Sequence, residues 1–409
     1  MSEKDKKTGI TRRSFLRTGG AAAVGASAGF AGVRLSGDPD GQLESSLLPF
    51  RGDHQAGVSA LAAPAGIVAA FDVRVDGRAE LAALMEDLGE IIEQGMDSRP
   101  YHDRDTGFPP VDTGLLGPDP PPTSTGVVVG LGHSLFDGRF GLAEQAPSQL
   151  LPMPKFKNDY LVRPERSHGD LAFTIRADSS DAAVHMLRQI RRNTRGRLLP
   201  RWMQEGFNRI ERPVEVGRAP VRNLMGFKDG TSNIDPGDRD AMDRLVWVQP
   251  EDDEPEWTVG GTYQATRIIR MMVEFWDRIR LSEQESIFGR HRDSGAPLGK
   301  DRETDEPSIG DELTSHIARA NPRTAGADEH RILRHSFNYS NGLDGNDQLE
   351  QGLIFIAYQR SLEAGFLTVQ RHLDGEPLEE YIRPLGGGFF FVPSAPAWDD
   401  PTIAADLFA

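Results

Sequence analysis

The order of apolar and polar residues along the chain predicts alternating strands and helices. Short apolar runs typical of strands occupy residues 66–73, 125–131, 170–177, 245–249, 262–272 and 352–359. Apolar residues at helical spacing predict helices over residues 78–96, 181–195, 273–279 and 361–372, the second with Asp181 at its N-cap. Residues 97–125 are rich in Pro, Gly and Asp, and they predict a long surface loop.

These elements fall into two similar sets, and they are too irregular for a long parallel series of strands and helices. The pattern therefore favours an α+β fold over a doubly wound one. We predict two ferredoxin-like halves, each with an antiparallel sheet. The first half covers residues 46–215 and the second covers residues 216–409.

The chain begins with a segment that resembles a targeting signal rather than part of the folded domain. Arg12 and Arg13 lie in the string TRRSFLR, and a weakly apolar Gly/Ala stretch follows to about residue 33. That stretch is too short and too glycine-rich for a stable transmembrane helix. We interpret residues 1–45 as a twin-arginine signal peptide and linker; the alternative is a tail with a chance Arg pair. Twin-arginine signals are typical of cargo exported in the folded state, which suits a protein that takes up a cofactor first.

Composition narrows the range of functions. The 409 residues include 46 basic and 62 acidic side chains, a formal charge of −16, so nucleic acid is not an expected partner. The chain contains no Cys, which excludes disulfides, thiolate catalysis and cysteine-ligated metals. The acidic, lysine-poor balance fits a salt-tolerant host, but a GC-rich genome that replaces Lys with Arg would explain it equally well.

Three residues are candidates for chemistry, although each has an ordinary explanation. Asp229 lies in GFKDGTSN, which is a normal turn sequence but which also places a carboxylate able to move a proton between two oxygens. His316 is one of ten His, most of which should be surface or hydrogen-bonded residues, but a neutral imidazole can bind a haem iron. Arg334 would be solvated at a strand edge, or would stabilise a developing oxyanion in a closed pocket.

Taken together, these strings resemble the dye-decolourising peroxidases. MGFKDGTSN carries the family's GxxDG motif, and Asp229, His316 and Arg334 follow in the family's order. Further agreement comes from FGRHRDSGAPLG, GLIFIAYQ, GFLTVQ and GGGFF. With the twin-arginine signal, the chain looks like the exported deferrochelatase/peroxidase branch, and the resemblance covers roughly residues 45–405.

The resemblance implies a fold, a cofactor and a set of roles. Two ferredoxin-like domains would form a dimeric α+β barrel arrangement, and the second would hold haem b (iron protoporphyrin IX). His316 would be the proximal iron ligand, with Glu380 accepting a hydrogen bond from its other nitrogen. Asp229 and Arg334 would face the peroxide. Other positions are expected around the cofactor: Arg290 at a propionate, Leu353 and Phe355 as tight distal walls, and Ser336 at a distal water.

One motif departs from the branch, which typically reads Arg-Arg-Gly-Tyr where this chain has Arg334-His335-Ser336-Phe337. Because neighbouring residues of a strand point to opposite faces, we expect His335 to lie outside the pocket.

The expected reaction is reduction of hydrogen peroxide with one-electron oxidation of small organic reductants such as dyes. A carboxylate has an unperturbed pKa of about 4, so an aspartate base predicts an acidic optimum. The alternatives are iron extraction from haem beside a membrane iron permease, a haem carrier, or a ferredoxin-like protein without haem. We further expect a homodimer, export by the twin-arginine translocase, and a location in the periplasm, cell envelope or medium.

Overall fold

Strand pairing closes the main sheet on itself. The computed structural model describes residues 47–101, 106–210, 221–308 and 314–409. In those residues a nine-stranded sheet has the order β7-β11-β2-β3-β1-β4-β9-β10-β8, and β7 also pairs with β10. Every pair is antiparallel, and the second pairing of β7 closes eight of the strands into a barrel. The strands are β1 (Ala65–Val73), β2 (Gly126–Gly132), β3 (Leu171–Ala177), β4 (Leu198–Phe207), β5 (Val221–Arg222), β6 (Lys228–Asp229), β7 (Thr262–Met271), β8 (Leu333–Arg334), β9 (Phe337–Leu343), β10 (Leu349–Gln359) and β11 (Ile382–Val392).

The barrel consists of two halves with the same connectivity. In the first half the strand order is β2-β3-β1-β4, and in the second it is β11-β7-β10-β9. Both are the ferredoxin-like order, so the predicted α+β fold of two ferredoxin-like halves is confirmed. The halves join where β2 pairs with β11 and where β4 pairs with β9. The helices are α1 (Ala56–Ser59), α2 (Gly77–Met96), α3 (Ser180–Asn193), α4 (Arg239–Leu245), α5 (Val273–Trp276), α6 (Leu281–Phe288), α7 (His316–Ala320) and α8 (Thr368–Leu373).

Apolar spacing explains how the long helices dock. In α2, Leu81, Leu84, Leu88 and Ile92 recur every three or four residues and are fully buried against the outer face of the barrel. The N-cap of α3 is Ser179, whose side-chain oxygen accepts a hydrogen bond from the Ala182 amide at 3.2 Å. Asp181, which we predicted at that position, lies in the first turn instead.

Alternating side chains give the barrel two apolar layers. Along β10, Ile354 and Ile356 point into the barrel and join an inner core with Trp202 and Phe390. Leu353 and Phe355 point outward, towards the helices of the second half. This outer layer, between the second half of the sheet and its helices, positions the candidate site.

Two predicted elements differ from the structure. Residues 245–249 do not form a strand: Leu245 ends α4, and Val248 only exchanges hydrogen bonds with Gly260 and Gly261 in a connection. Residues 361–372 do not form one helix, because a π-helical turn (Glu363–Leu367) precedes α8.

Two other predictions lie outside the described residues. The signal segment 1–45 is one, and the boundary between residues 215 and 216 is the other. Residues 44–409 belong to one compact unit, so the division into two domains stays a prediction. Among the helices that the structure describes, none is both long and apolar enough to span a bilayer.

Candidate active site

A cavity of about 260 Å³ lies outside the barrel in its second half. Strands β7, β10 and β11 form one wall, and α7 and α8 form the opposite side. The turn that carries Asp229 and the strand that carries Arg334 close a third side. The predicted residues Asp229, Arg290, His316, Arg334, Leu353 and Phe355 all line this cavity.

His316 is the first residue of α7, and a buried carboxylate fixes its ring. Its Nδ1 donates a hydrogen bond to Oε2 of Glu376 at 2.8 Å, and Glu376 is only 4% exposed. Burial disfavours the protonated imidazole. The charge of Glu376 and the hydrogen bond to it outweigh burial, so the pKa of His316 is raised above its ordinary value. With Nδ1 engaged, Nε2 is the atom left for a metal.

The prediction that Glu380 holds His316 is therefore wrong. Glu376 precedes Pro377 in extended backbone, where its side chain can turn towards α7. Glu380 ends the following 3₁₀ turn and is exposed. The two glutamates lie one helical turn apart in the chain, and only the fold distinguishes them.

Asp229 and Arg334 lie together on two short strands. Nη2 of Arg334 is 3.3 Å from Oδ1 of Asp229. Asn233, which the sequence analysis did not single out, sets their relative position. Its Oδ1 accepts from the Arg334 amide at 2.9 Å, and its Nδ2 donates to the Arg334 carbonyl at 2.8 Å. Asn233 is the last residue of the GFKDGTSN string, but nothing in that string marked it as the residue that positions Arg334.

Ser336 does not line this cavity, which corrects its predicted place. It lines a neighbouring cavity of about 80 Å³, which shares Asp229 and Arg334 with the larger one. His335 also lines only the smaller cavity, as we expected for a residue outside the main pocket, and its Nε2 donates to the Val58 carbonyl at 2.9 Å.

Arg290 is buried and held from several sides. It donates to the carbonyls of Gly295 at 2.6 Å and Glu303 at 3.0 Å, and to the Ser232 hydroxyl at 3.3 Å. Burial and the nearby charge of Arg323 lower the pKa of Arg290. The cavity wall therefore includes a buried guanidinium that is held by carbonyl and hydroxyl oxygens.

The residues of the cavity fit a haem. One imidazole has a free Nε2, the neighbouring walls are apolar at Leu353 and Phe355, and arginines are available for two carboxylates. A further arginine, Arg267, pairs with Asp159, and its Nη1 is buried without a hydrogen-bond partner among the described residues. A propionate would satisfy such an atom.

Fold and donor set together define a haem-binding oxidoreductase built on a ferredoxin-like barrel. Residues 55–208 match the family model "Dyp-type peroxidase, N-terminal", and residues 220–397 match "Dyp-type peroxidase, C-terminal". The chain belongs to the Dyp-type peroxidase family, and its cofactor is haem.

Individual relatives agree with this assignment. The chain is 41% identical over 396 residues to a deferrochelatase of Escherichia coli strain K12, covering 93% of each protein. Ferric DtpA from Streptomyces lividans superposes with a TM-score of 0.79 at 33% identity, covering 90% of this chain and 98% of that one. A Dyp-type peroxidase from Cellulomonas bogoriensis gives 0.77 at 30% identity, covering 89% and 98%.

Proposed function

We propose that this chain is an exported haem peroxidase in which Asp229 and Arg334 activate hydrogen peroxide. The observation that carries the proposal is their 3.3 Å contact on the cavity that also contains the Glu376-held His316. When bound, haem supplies the redox chemistry: reduction of peroxide and one-electron oxidation of organic donors such as dyes.

The side chains have separate tasks. The Asp229 carboxylate accepts a proton from one peroxide oxygen and returns it to the other. The Arg334 guanidinium donates hydrogen bonds to the negative charge that develops as the O–O bond breaks. His316 offers Nε2 to the iron, and Glu376 orients the ring and makes it a stronger donor. Leu353 and Phe355 exclude bulk water from the site.

The first experiment compares absorption spectra of the haem-reconstituted wild type and His316→Ala. We expect a ferric Soret band in the wild type that changes on addition of one equivalent of peroxide, and a lost or grossly altered band in the variant. His330→Ala is the matched control, because His330 lines the same cavity while its Nδ1 donates to the Ala364 carbonyl at 2.7 Å. A normal Soret band in His316→Ala would place the iron ligand elsewhere and refute the assignment.

A second function is favoured by one observation, the 41% identity to a deferrochelatase over 93% of both proteins. In that role the same cavity would release iron from haem and leave the porphyrin intact, beside a membrane iron permease. Incubation with haem and a ferrous chelator distinguishes the two roles. Metal-free protoporphyrin as the product supports iron extraction, whereas dye turnover that depends on peroxide supports the peroxidase.

We also propose export through the twin-arginine translocase, supported by Arg12 and Arg13 in TRRSFLR. The protein would then work in the periplasm, cell envelope or medium. Replacing both arginines with Lys should retain the protein in the cytoplasm with its haem bound, as measured by cell fractionation; unchanged export would contradict the proposal. The homodimer expected from the family is tested by light scattering of the purified holoprotein.

A further inference from the structure

One side chain, Glu303, accepts hydrogen bonds from residues on both sides of Asp229 in its turn. Its Oε2 accepts from Nζ of Lys228 at 2.5 Å, and its Oε1 accepts from the Thr231 hydroxyl at 2.7 Å. Lys228 immediately precedes Asp229, and Thr231 follows it by two residues. The carboxylate therefore spans the turn, while Asp229 itself faces Arg334.

The backbone of Glu303 makes a second connection. Its carbonyl accepts from Nη1 of Arg290 at 3.0 Å, and the same nitrogen donates to the Gly295 carbonyl at 2.6 Å. Nη2 of Arg290 reaches the Ser232 hydroxyl at 3.3 Å. The segment from Arg290 to Glu303 is thus tied to the Asp229 turn by two independent sets of hydrogen bonds.

The Lys228–Glu303 pair is closely packed against Gly295. Gly295 has φ +76°, and a Cβ built there would lie 2.9 Å from Cδ of Lys228 and 3.3 Å from Cγ of Glu303. A larger residue would therefore be strained and would push the pair apart. The pair is also shielded from water, with side-chain exposures of 13% for Lys228 and 21% for Glu303. Such a pair is less screened than a surface ion pair and restrains the backbone more strongly.

We propose that Glu303 is a positioning residue for Asp229, holding Lys228 and Thr231 so that the Asp229 carboxylate stays opposite Arg334. This inference rests on the proposed peroxidase function, because it assigns Asp229 the proton transfer. Glu303 touches none of the reacting atoms in this scheme. Small displacements of a catalytic base slow proton transfer strongly, so the effect should appear in the peroxide step.

The test uses Glu303→Gln in the full-length haem-reconstituted protein. Asp301→Asn is the matched control, because it removes the same charge from an exposed position of the same segment. We expect haem content and the Soret band to be unchanged in both. In Glu303→Gln, kcat/KM for peroxide should fall about tenfold while the rate of dye oxidation at saturating peroxide falls less.

The pH profile of kcat/KM for peroxide distinguishes a positioning role of Glu303 from a general loss of structure. Glu303→Gln removes the carboxylate that pairs with the Lys228 ammonium, while Arg334 still faces Asp229. An ammonium that has lost this partner favours the ionised form of the neighbouring Asp229 carboxylate more strongly. The acid limb of kcat/KM for peroxide should therefore move to lower pH in Glu303→Gln, and it should return towards the wild-type position when Lys228→Met is added. A merely structural defect would lower the rate without moving the limb.

Hydrogen–deuterium exchange of the haem-free protein provides a second test, which does not depend on activity. Amides of residues 226–233 should exchange faster than in wild type in Glu303→Gln, and at the wild-type rate in Asp301→Asn. Unchanged exchange together with kcat/KM within twofold of wild type would overturn the proposal. If the wild type itself does not turn over peroxide, the peroxidase assignment fails, but the exchange test still decides whether Glu303 holds the turn.

Discussion

His335 should make the native state sensitive to acid. The imidazole is largely enclosed, but not fully buried, beside Arg176 of β3 and Tyr358 of β10, and its Nε2 donates to the Val58 carbonyl at 2.9 Å. Burial, together with the charge of Arg176, lowers the pKa of His335 to about 3. The ring is therefore neutral in the folded protein throughout the acidic range in which we expect the enzyme to work.

The sign of the effect follows from proton binding. An unfolded chain exposes this histidine, whose ordinary pKa is about 6.5, so between pH 6.5 and pH 3 the unfolded state binds a proton that the native state does not. Stability contributed by His335 is therefore complete above pH 6.5 and falls as the pH is lowered. At about 1.4 kcal/mol per pH unit, a drop to pH 4.5 costs roughly 2–3 kcal/mol.

His335→Gln tests this value, because glutamine keeps an N–H donor for Val58 but does not titrate. Urea unfolding of the haem-free protein, measured from pH 4.5 to pH 7, gives the free energy of unfolding of each form. At pH 7 we expect the variant to be less stable than wild type because it loses packing. Between pH 7 and pH 4.5 the difference in free energy of unfolding should shift in favour of the variant by about 2–3 kcal/mol.

The control is Tyr358→Phe, which perturbs the same cluster without removing the imidazole. Burial raises the pKa of Tyr358 further from this range, so the difference between Tyr358→Phe and wild type should not change with pH. If the His335→Gln difference is also independent of pH, then the buried ring takes up a proton in the native state, and the reasoning is refuted.

Three further predictions concern other parts of the molecule. Asp170 is 3% exposed in its side chain and accepts from Arg139, so Asp170→Asn should lower the free energy of unfolding by ~2 kcal/mol at pH 7. Burial alone would raise the pKa of Asp170, but its hydrogen bonds lower it. The loss should therefore shrink as urea unfolding is repeated below pH 4, and a constant loss would contradict this. Glu376→Gln should weaken haem affinity about tenfold in titrations followed at the Soret band, whereas the exposed Glu380→Gln should not; equal effects would restore Glu380 as the partner. Asp229→Asn should slow the reaction with peroxide by at least 100-fold in stopped-flow absorption while leaving haem binding intact, and a rate within tenfold of wild type would exclude it as the base.

Sequence patterns predicted the elements that are buried continuously along most of their length. Strands β1, β3, β7 and β10 and helix α2 appear within a few residues of their predicted bounds, because their apolar periodicity reflects one packing environment. Strand β11 was not predicted as an element, since three of its residues are glycines, which local propensity disfavours in strands. Tertiary packing requires them: a Cβ at Gly386 would lie 2.1 Å from the Arg166 carbonyl oxygen, and one at Gly387 would lie 2.0 Å from that of Thr266.

The motif strings, compared with the dye-decolourising peroxidases that they resemble, were enough to select His316, Asp229 and Arg334, which the fold brings to one cavity. They were not enough for partners whose identity depends on side-chain direction. Glu376 and Glu380 are alike as residues, and only backbone geometry after α8 decides which one reaches His316. Arg267 lies inside a predicted strand, so nothing local marked it as a residue of the cavity.

The two halves of the barrel share their connectivity, yet they fill the layer between sheet and helices differently. In the first half, the long helices α2 and α3 place Leu84, Leu88 and Ile190 in one buried cluster with strand residues such as Phe173. In the second half the corresponding layer is built from shorter pieces, α5 to α8, which leave a cavity over β7 and β10. Short helices bury less apolar surface of their own, so this half is stabilised more by whatever occupies the cavity. Haem binding should therefore protect amides of the second half from exchange more strongly than those of α2.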